Sequence, residues 1–492
     1  QAPKTVEQSA YFNQAVNEGV AGYLANGMEL TAASERAKVV IVPGAVSLGN
    51  RVWIDKNANG FQDEDEPSYT AGGVKFNLYT SINGKESAAM YRTATTVNGE
   101  YTIGGLLPGV IRAGVTNAFD KDGNVDQSAM QGTSRYTYQL MVSADQIPAG
   151  YAVTKAYAGA SKAPNADSAF GNRELDSNFK RSGANYVSEA FYLPGDDYSF
   201  DLGLVRTRNL SIHKQTDNGK VLTGATFKIY GPYTDEQLAQ GVTLKAADLV
   251  DTLVTNGNGN VSFISSSEKY LNFYSSYVVV ETSSTASYYK ADKLTITSDG
   301  NVSAANGRVT GEGIQGNNYF ILNSKNDDTK SSTDVVTVTN PYEAAGQFVL
   351  IGKKEFVGGS LKDTAFTFRL TADADHADPH LTEGFLTDTT DANGDFSFVL
   401  KFDQTDAGKE YIYTLTEVAG AEDAGIIYDA TNYRFKLSMQ DDEKGNVAVT
   451  LTNLGQAQPK RVGDKFVYTF VNNAYGTLTL RKQVTGNAAQ DK

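Results

Sequence analysis

The stretch Gly73-Val74-Lys75-Phe76-Asn77-Leu78-Tyr79 is typical of the secondary structure that this 492-residue chain is expected to form. Its apolar residues Val74, Phe76 and Leu78 alternate with other side chains, so they lie on one face of an extended strand. Similar runs, such as residues 365–370, recur between Asn-Gly, Asp-Gly and Gly-Gly turns. This pattern predicts a mainly β protein of tandem immunoglobulin-like sandwiches arranged as a rod.

Residues 8–37 depart from the strand pattern. Phe12, Val16, Val20 and Leu24 recur at every fourth position between Ala, Asn, Gln and Glu. That spacing places the four side chains on one face of a helix. We therefore predict one amphipathic N-terminal helix, which either packs against the fold or binds a partner.

The composition excludes several classes of protein. The chain has no cysteine, so disulfides, Cys-ligated metal sites and Cys nucleophiles are all excluded. With 43 Lys and Arg against 57 Asp and Glu, the net charge of −14 argues against nucleic acid or anionic lipid as the main partner. No apolar run approaches the roughly 18 residues of a membrane helix. No nucleophile-elbow, phosphate-binding or dinucleotide-binding motif occurs in its required context, so the sequence does not indicate an enzyme.

The chain divides into five predicted segments. They are a helical segment at 1–44, sandwiches at 45–206, 207–341 and 342–475, and the start of a further, truncated domain at 476–492. The last two sandwiches both begin with a strand that contains lysine and end with a strand that closes on asparagine. Because residues 478–482 repeat the opening strand, we expect the chain to be a fragment of a longer protein.

The segment 55–66 fits the calcium-loop pattern D-x-[DN]-x-[DN]-G-x5-E at every constrained position. Calcium prefers oxygen ligands, and Gly60 permits the sharp turn of such a loop. The predicted Ca²⁺ ligands are Asp55, Asn57, Asn59, the Phe61 carbonyl, Asp63 and Glu66. A strand precedes the loop and Pro67 follows it, so we expect it within a β domain. The alternative is a solvated acidic hairpin, and the number of calcium ions stays open.

A covalent bond between side chains can take the place of the missing disulfides. A buried lysine without a counter-charge loses its proton, and the neutral amine is a nucleophile. A buried carboxylic acid can polarise the side-chain carbonyl of a nearby asparagine, and proximity supplies the rest. The product is a Lys–Asn isopeptide bond, formed with loss of ammonia in a single turnover on the chain itself.

The second and third sandwiches both contain the three residue types that this chemistry needs. The candidates are Lys214, Glu281 and Asn340 in the second sandwich, and Lys354, Glu417 and Asn473 in the third. Lys354 is preferred to Lys353 because it shares a strand face with Phe356. Asn472 remains an alternative to Asn473. If these side chains are ordinary exposed strand and turn residues instead, no bond forms.

Several short motifs occur in a fixed order between residues 46 and 205. They are residues 49–55, 57–63, 72–74, 98–101, 106–109, 147–151 and 198–204. This order resembles the B-type repeats of staphylococcal serine–aspartate-repeat adhesins. The resemblance implies a calcium-stiffened stalk domain on a Gram-positive cell surface.

Two further resemblances cover the following sandwiches. Residues 210–214, 222–227, 258–263, 280–282 and 340–341 resemble motifs of the collagen-adhesin B-type (CnaB-like) domains of Gram-positive pilins. Residues 354–358, 366–368, 415–417, 427–429, 433–435 and 473–475 resemble motifs of the streptococcal pilin isopeptide-linkage domain. Both resemblances imply the Lys–Asn bonds described above. By the same pattern, Lys482 would be the reactive lysine of the following domain.

The sequence therefore predicts the stalk of a Gram-positive cell-wall-anchored adhesin or pilus subunit. We expect an extracellular, non-enzymatic protein that is attached covalently to the cell wall or pilus through a missing C-terminal region. Its surface ligand, host or bacterial and protein or glycan, stays open, as does polymerisation. One alternative is a ligand-binding tip adhesin that uses insertions at 120–131 and 157–182. A less favoured alternative is a surface glycosidase with these units as spacers.

Overall fold

In the computed structural model, strands dominate the architecture, which confirms the mainly β prediction. The chain forms two compact units, Gln1–Gln215 with Val221–Ser283 and Leu294–Thr339, and Thr216–Lys220 with Ser284–Lys293 and Asn340–Lys492. The structure describes residues 10–12, 38–40, 46–82, 85–86, 90–106, 110–111, 134–158, 175–191, 193, 196–299, 301–421, 425–463, 465–476 and 480–483. Within these ranges, no helix has the length and apolar character needed to cross a membrane. The five predicted segment boundaries stay predictions.

The described residues of the N-terminal segment form two short strands rather than a helix. Strand β1, Ala10–Phe12, pairs antiparallel with β2, Lys38–Val40. In this register Tyr11 lies opposite Val39. The predicted helix is therefore wrong at Phe12, because cross-strand pairing outweighs the four-residue spacing. Val16, Val20 and Leu24 lie outside the described residues.

The first sandwich contains the alternating stretch at residues 73–79. Its strands are β3 Val46–Ile54, β4 Lys75–Ile82, β5 Lys85–Glu86, β6 Arg92–Thr95, β7 Glu100–Leu106, β8 Val110–Ile111, β9 Ser134–Ser143, β10 Tyr151–Val153, β11 Lys180–Ser182 and β12 Asn185–Val187. One sheet has the order β11-β12-β9-β4-β5, and β3 pairs with β7 in another. Val74, Phe76 and Leu78 are all fully buried, so the alternation identifies the inward face of β4.

The second sandwich shares a long strand with the first. Its strands are β13 Leu202–Thr216, β14 Thr226–Tyr233, β15 Val242–Leu244, β16 Leu249–Val254, β17 Asn260–Phe263, β18 Leu271–Asn272, β19 Ser276–Ser283, β20 Thr295–Ser298, β21 Val302–Ala304, β22 Val309–Gly311, β23 Tyr319–Leu322 and β24 Thr333–Asn340, with helix α1 at Asp235–Gln240. The start of β13 pairs with β3 and β10, and its later residues pair with β17 and β18. Strand β24 lies beside β13, while β16-β14-β19-β23-β21 forms the other sheet.

The third sandwich consists of two five-stranded sheets around an aromatic core. Its strands are β25 Ala345–Val357, β26 Thr367–Ala372, β27 Phe385–Thr389, β28 Asp395–Asp403, β29 Glu410–Val418, β30 Ile426–Ile427, β31 Tyr433–Asp441, β32 Val447–Asn453, β33 Lys460–Val462 and β34 Lys465–Ala474. The sheet orders are β28-β25-β34-β30, with β33 on β34, and β27-β26-β29-β31-β32. Phe396 stacks on Phe368 at a ring distance of 3.7 Å. Gly352 makes room for that ring, since a Cβ there would lie 1.8 Å from Phe396.

Candidate functional site

The third sandwich brings a lysine, a glutamate and an asparagine together from three strands. Lys354 is on β25, Glu417 on β29 and Asn472 on β34, and all three side chains are buried. Lys354 Nζ lies 2.7 Å from Glu417 Oε2, and Asn472 Nδ2 donates to Glu417 Oε1 at 2.7 Å. One carboxylate therefore bridges the amine and the amide that an isopeptide bond would join.

The structure corrects the choice of Asn473. That residue is exposed, whereas Asn472 is fully buried and faces Glu417. In the parallel pair of β25 and β34, Lys354 lies opposite Phe470 and Phe356 lies opposite Asn472. Alternate residues share a strand face, so Asn472 points the same way as Phe470 and Asn473 points outward. The period-two rule that selects Lys354 on the first strand would also have selected Asn472 on the last.

The surroundings of Lys354 favour its neutral form. Its ammonium nitrogen lies 5.0 Å from the centre of the Phe366 ring. Burial lowers the pKa of Lys354, although the hydrogen bond and negative charge of Glu417 act in the opposite direction. The arrangement thus holds a lysine ready to release its proton to the carboxylate beside it.

The amide of Asn472 is held at both ends. While Nδ2 donates to Glu417, Oδ1 accepts a hydrogen bond from the backbone N–H of Asp429 at 2.8 Å. An N–H group can only donate, so this contact fixes which end of the amide faces Glu417. The nitrogen that would leave as ammonia therefore lies next to the group that can protonate it.

The second sandwich places its three predicted residues on neighbouring elements. Lys214 is on β13, Glu281 on β19 and Asn340 at the end of β24, and all are buried. Lys214 Nζ lies 3.4 Å from Glu281 Oε2 and donates to the Val338 carbonyl at 3.4 Å. Burial lowers the pKa of Lys214 to about 8, against the opposing effect of Glu281. The lysine and its predicted glutamate thus form a buried pair, as in the third sandwich.

A further buried lysine was missed by the sequence analysis. Lys325 Nζ lies 2.8 Å from Asp334 Oδ1 and donates to the Ser331 carbonyl at 2.6 Å. The other carboxylate oxygen of Asp334 accepts from Arg208 Nε at 2.8 Å. Here the lysine and a guanidinium share one carboxylate, which differs from the Lys–Glu–Asn set. We interpret this group as an ion-pair network that holds β13 to β24. Arg208 lies two positions before Leu210 on β13, so the alternation of this strand indicates that its side chain also points inward.

The predicted calcium loop follows β3 and begins with a buried carboxylate. Asp55 Oδ2 accepts from the Gly60 backbone at 2.8 Å and from Thr154 Oγ1 at 2.5 Å. Asp55 Oδ1 is also buried but has no hydrogen-bond partner among the described residues. A buried oxygen in this condition is what a bound cation would satisfy. Thr154 was not predicted, because it is distant from the loop in sequence.

The other predicted loop residues converge on Asp63. Asn57 Nδ2 and Asn59 Nδ2 donate to Asp63 Oδ2 at 2.6 and 2.8 Å, and the Phe61 N–H donates to Asn59 Oδ1. These contacts bring together the side chains at loop positions 3, 5 and 9. The structure therefore brings these residues of the motif together.

Glu66 closes the loop and is held by three donors. Its Oε2 accepts from Trp53 Nε1 at 3.1 Å and from the Asp63 N–H, and its Oε1 accepts from the Lys56 N–H at 2.7 Å. Burial, together with the negative charge of Asp55, raises the pKa of Glu66 to about 7. Burial also raises the pKa of Asp55. Two buried carboxylates that oppose one another fit a site for a hard cation.

The predicted calcium loop depends on amide and backbone oxygens as well as on carboxylates. Across the residues that the structure describes, no group of three or more His, Asp or Glu side chains is placed to hold a metal ion. The loop instead relies on the amide oxygens of Asn57 and Asn59 and on a backbone carbonyl, as its sequence pattern requires. Calcium therefore stays a prediction, supported by the unsatisfied Asp55 oxygen and by the raised pKa of Glu66.

Some of the sequence predictions fall on residues without a described structure. Residues 120–131 and 159–174, which form most of the two insertions of the tip-adhesin alternative, lie outside the described residues. Lys482 is described and exposed. The alternative of a ligand-binding tip therefore stays a prediction.

Comparisons with solved structures find remote similarity to several proteins, including pilus proteins. The chain is similar to the Bacillus anthracis TIE protein at 12% identity, over 89% of this chain and 53% of that one, with a TM-score of 0.20. It is similar to the open conformation of the pilus adhesin SpaC from Lactobacillus rhamnosus GG at 12% identity, over 92% and 46%, with a TM-score of 0.21. For a streptococcal ancillary pilin the values are 10% identity, 88% and 100% coverage, and a TM-score of 0.20. The chain spans about half the length of TIE and of SpaC.

Two family models match parts of the chain. The model of the SdrD B-like domain matches residues 46–132, and that of the Spy0128-like isopeptide containing domain matches residues 350–475. No curated protein sequence matches the chain. The matches confirm the resemblances stated for the first and third sandwiches, while the CnaB-like resemblance of 207–341 stays a prediction. The chain thus contains a segment that matches the SdrD B-like domain and a segment that matches the Spy0128-like isopeptide containing domain.

Proposed function

We propose that this chain is a structural shaft segment of a Gram-positive pilus or cell-wall-anchored adhesin, stapled by autocatalytic Lys–Asn isopeptide bonds. The observation that supports it best is the Glu417 carboxylate, which contacts both Lys354 Nζ and Asn472 Nδ2 in a buried site. Both matched domain types are structural rather than enzymatic. The protein would act outside the cell. Its point of covalent attachment and its surface ligand are not among the sites described above.

The chemistry follows from the contacts around Glu417. The Lys354 ammonium passes a proton to Glu417, and the neutral amine attacks Cγ of Asn472. As the new C–N bond forms, the electron pair of the carbonyl moves onto Oδ1. Glu417 then gives a proton to Nδ2 and accepts one from Nζ, and the bond between Cγ and Nδ2 breaks. The products are a Lys–Asn amide and ammonia, so every atom is accounted for.

The position of the bond suits a shaft. It would join β25 and β34, the first and last long strands of the third sandwich, which already lie side by side. A pulling force that enters through one of these strands and leaves through the other passes along the covalent bond. The hydrogen bonds between strands then need not break one after another under load.

The second sandwich is proposed to react in the same way. Lys214 and Glu281 form a fully buried pair, and Asn340 ends the strand next to that of Lys214. The lowered pKa of Lys214, about 8, makes its neutral form accessible near neutral pH. A bond from β13 to β24 would again join the first and last strands of a sandwich.

Intact-mass spectrometry of the whole chain tests the proposed function. Two bonds predict a mass below that of the sequence by about 34 Da, the mass of two ammonia molecules. Peptide mapping should recover Lys354 joined to Asn472 and Lys214 joined to Asn340. A mass equal to that of the unmodified sequence would contradict the proposal.

We also propose that the loop at 55–66 binds calcium, and the chain offers its own probe for it. Trp53 is the chain's one tryptophan, and its indole donates to the predicted ligand Glu66. Calcium should change the Trp53 fluorescence and stabilise the first sandwich by about 2.7 kcal/mol at 100 times Kd. The measurement is thermal melting followed by that fluorescence, in calcium and in a chelator.

Matched variants of the loop separate ligation from charge. Asp55→Ala should abolish the calcium effect, because it removes the buried carboxylate at loop position 1. Asp65→Asn should leave the effect intact, since the Asp65 side chain is 79% exposed and is not a predicted ligand. Equal melting curves with calcium and with chelator would refute calcium binding by this loop.

A further inference from the structure

A short turn in the third sandwich lies beside Lys354, Glu417 and Asn472 and contacts the amide of Asn472. The reaction steps given above assign no role to this turn. After β30, residues 428–432 run alongside β34, with Ile427 opposite Asn473. In this turn the backbone N–H of Asp429 donates to Asn472 Oδ1 at 2.8 Å. Oδ1 is the atom that becomes negatively charged when the lysine attacks.

We propose that the Asp429 backbone N–H is the oxyanion donor for the Lys354–Asn472 condensation, and that the Asp429 carboxylate is the positioning group that aims this N–H. The inference rests on the proposed isopeptide function and adds a part to its machinery. Lys354, Glu417 and Asn472 alone supply a nucleophile, a proton relay and an electrophile. They offer no described donor to the carbonyl oxygen, because Glu417 contacts the nitrogen end of the amide.

The geometry matches what an oxyanion donor requires. A preorganised N–H about 2.7–3.1 Å from the oxygen stabilises the charge that develops there, and its effect is large in a buried site. Asn472 is fully buried, so water does not compete for Oδ1. As the tetrahedral intermediate forms, the bond from Asp429 strengthens, which lowers the barrier rather than the energy of the starting state.

The side chain of Asp429 fixes its own backbone. Its Oδ2 accepts from the Val471 N–H at 2.7 Å, and its Oδ1 accepts from the Thr431 N–H at 2.9 Å. The first contact ties the turn to β34 at the residue before Asn472, and the second closes the turn on itself. Burial tends to raise the pKa of Asp429, but hydrogen bonds from Thr431 and Val471 outweigh it and lower the pKa. A charged carboxylate thus anchors the N–H against the strand that contains the electrophile.

The experiment follows bond formation over time in the full chain made by cell-free translation. Samples are quenched in acid, and peptide mapping quantifies the Lys354–Asn472 and Lys214–Asn340 bonds separately. The decisive variant replaces the Tyr428–Asp429 amide with an ester, by incorporation of the hydroxy-acid analogue of aspartate. This change removes one N–H and keeps every side chain. We expect it to slow the Lys354–Asn472 bond by roughly 10²-fold or more, as the loss of an oxyanion donor does, and to leave the Lys214–Asn340 bond unchanged.

Side-chain variants separate positioning from folding. Asp429→Ala should slow the same bond by about 10-fold, the lower end of the range seen when a group that orients a functional residue is removed. Asp429→Asn keeps an acceptor for Val471 and should restore the rate to within a few-fold of the parent. Asp378→Asn is the control, since it disturbs a buried bond to Tyr413 in the same sandwich but does not touch Lys354 or Asn472.

The outcomes are distinguishable. If the parent forms the Lys354–Asn472 bond and the ester and Asp429→Ala variants form it equally fast, Asp429 has no such role and the isopeptide function stands. If Asp378→Asn slows the bond as much as Asp429→Ala at equal loss of melting temperature, the effect is one of stability and the proposal is overturned. If the parent never forms the bond, the proposed function fails and this inference fails with it.

Discussion

Replacing Asn472 with alanine should leave the third sandwich without its covalent bond and lower its melting temperature by roughly 10 °C or more. The bond would close a loop of about 120 residues, which by analogy with disulfides removes on the order of 4–5 kcal/mol of unfolded-state entropy. The Lys354–Glu417 ion pair at 2.7 Å survives in this variant, so no buried charge is left unpaired. The loss therefore reports the bond together with the two hydrogen bonds of the Asn472 amide, to Glu417 and from the Asp429 N–H. The measurement is intact mass, in which the deficit relative to the variant's own sequence should fall from about 34 Da in the parent to about 17 Da, combined with calorimetry.

The neighbouring asparagine provides the matched control. Asn473→Ala removes the same chemical group one position further along β34, from an exposed side chain on the opposite face. Mass deficit and melting temperature should both stay at the parent's values. If Asn473→Ala abolished the bond and Asn472→Ala did not, the assignment made from the buried position of Asn472 would be wrong.

The same strand shows how far the sequence leads and where it stops. Lys354 was selected by its phase with Phe356, and the structure buries it next to Glu417 as that phase requires. Asn473 is the sequence candidate on β34, with Asn472 as its alternative, and the phase of that strand separates the two. Tyr468 and Phe470, both fully buried, mark the inward phase and point to Asn472. Local periodicity is thus sufficient to identify both the lysine and the asparagine of the group.

Contacts between segments that are distant in sequence cannot be predicted from local periodicity. The N–H of Asp429 meets Asn472 because the turn after β30 packs on β34, and a backbone group has no signature in the sequence. Thr154 donates to Asp55 across 99 positions for a similar reason. The spacing of 55–66 predicts which oxygens belong to the loop, but tertiary packing decides what else lies beside them. The strand at Ala10–Phe12 likewise depends on its partner at Lys38–Val40, which outweighs a helix-like spacing.

In the second sandwich, replacing Glu281 with alanine should destabilise the chain even more than loss of the bond alone. The variant cannot relay protons, so Lys214 stays unreacted and the loop of roughly 125 residues is open, at a cost of about 4–5 kcal/mol. In addition, a fully buried lysine loses the carboxylate 3.4 Å away. Breaking a buried pair in this way costs about 3–5 kcal/mol more, because a charge is left uncompensated. The measurement is chemical denaturation of the second sandwich.

The second contribution should depend on pH, and its sign follows from the direction of the Lys214 shift. Burial lowers the pKa of Lys214 from 10.5 to about 8 even with Glu281 present, and removal of that carboxylate lowers it further. The unfolded chain then binds more protons than the folded chain at neutral pH, so the stability of Glu281→Ala should rise as pH increases toward 10.5. The crosslinked parent should lack this dependence, since its Lys214 is an amide and does not titrate.

A double variant separates the open loop from the buried charge. Glu281→Ala with Lys214→Met also prevents the bond, but it fills the site with an uncharged side chain of similar length. It should recover the roughly 3–5 kcal/mol of the unpaired charge and lose the pH dependence, while the cost of the open loop remains. If the double variant were as unstable as Glu281→Ala at every pH, the buried charge would contribute nothing. If Glu281→Ala still showed the parent's mass deficit, Glu281 would not be the proton relay. Glu281 thus has two roles before the reaction, as relay and as counter-charge, and only the bond makes the second one unnecessary.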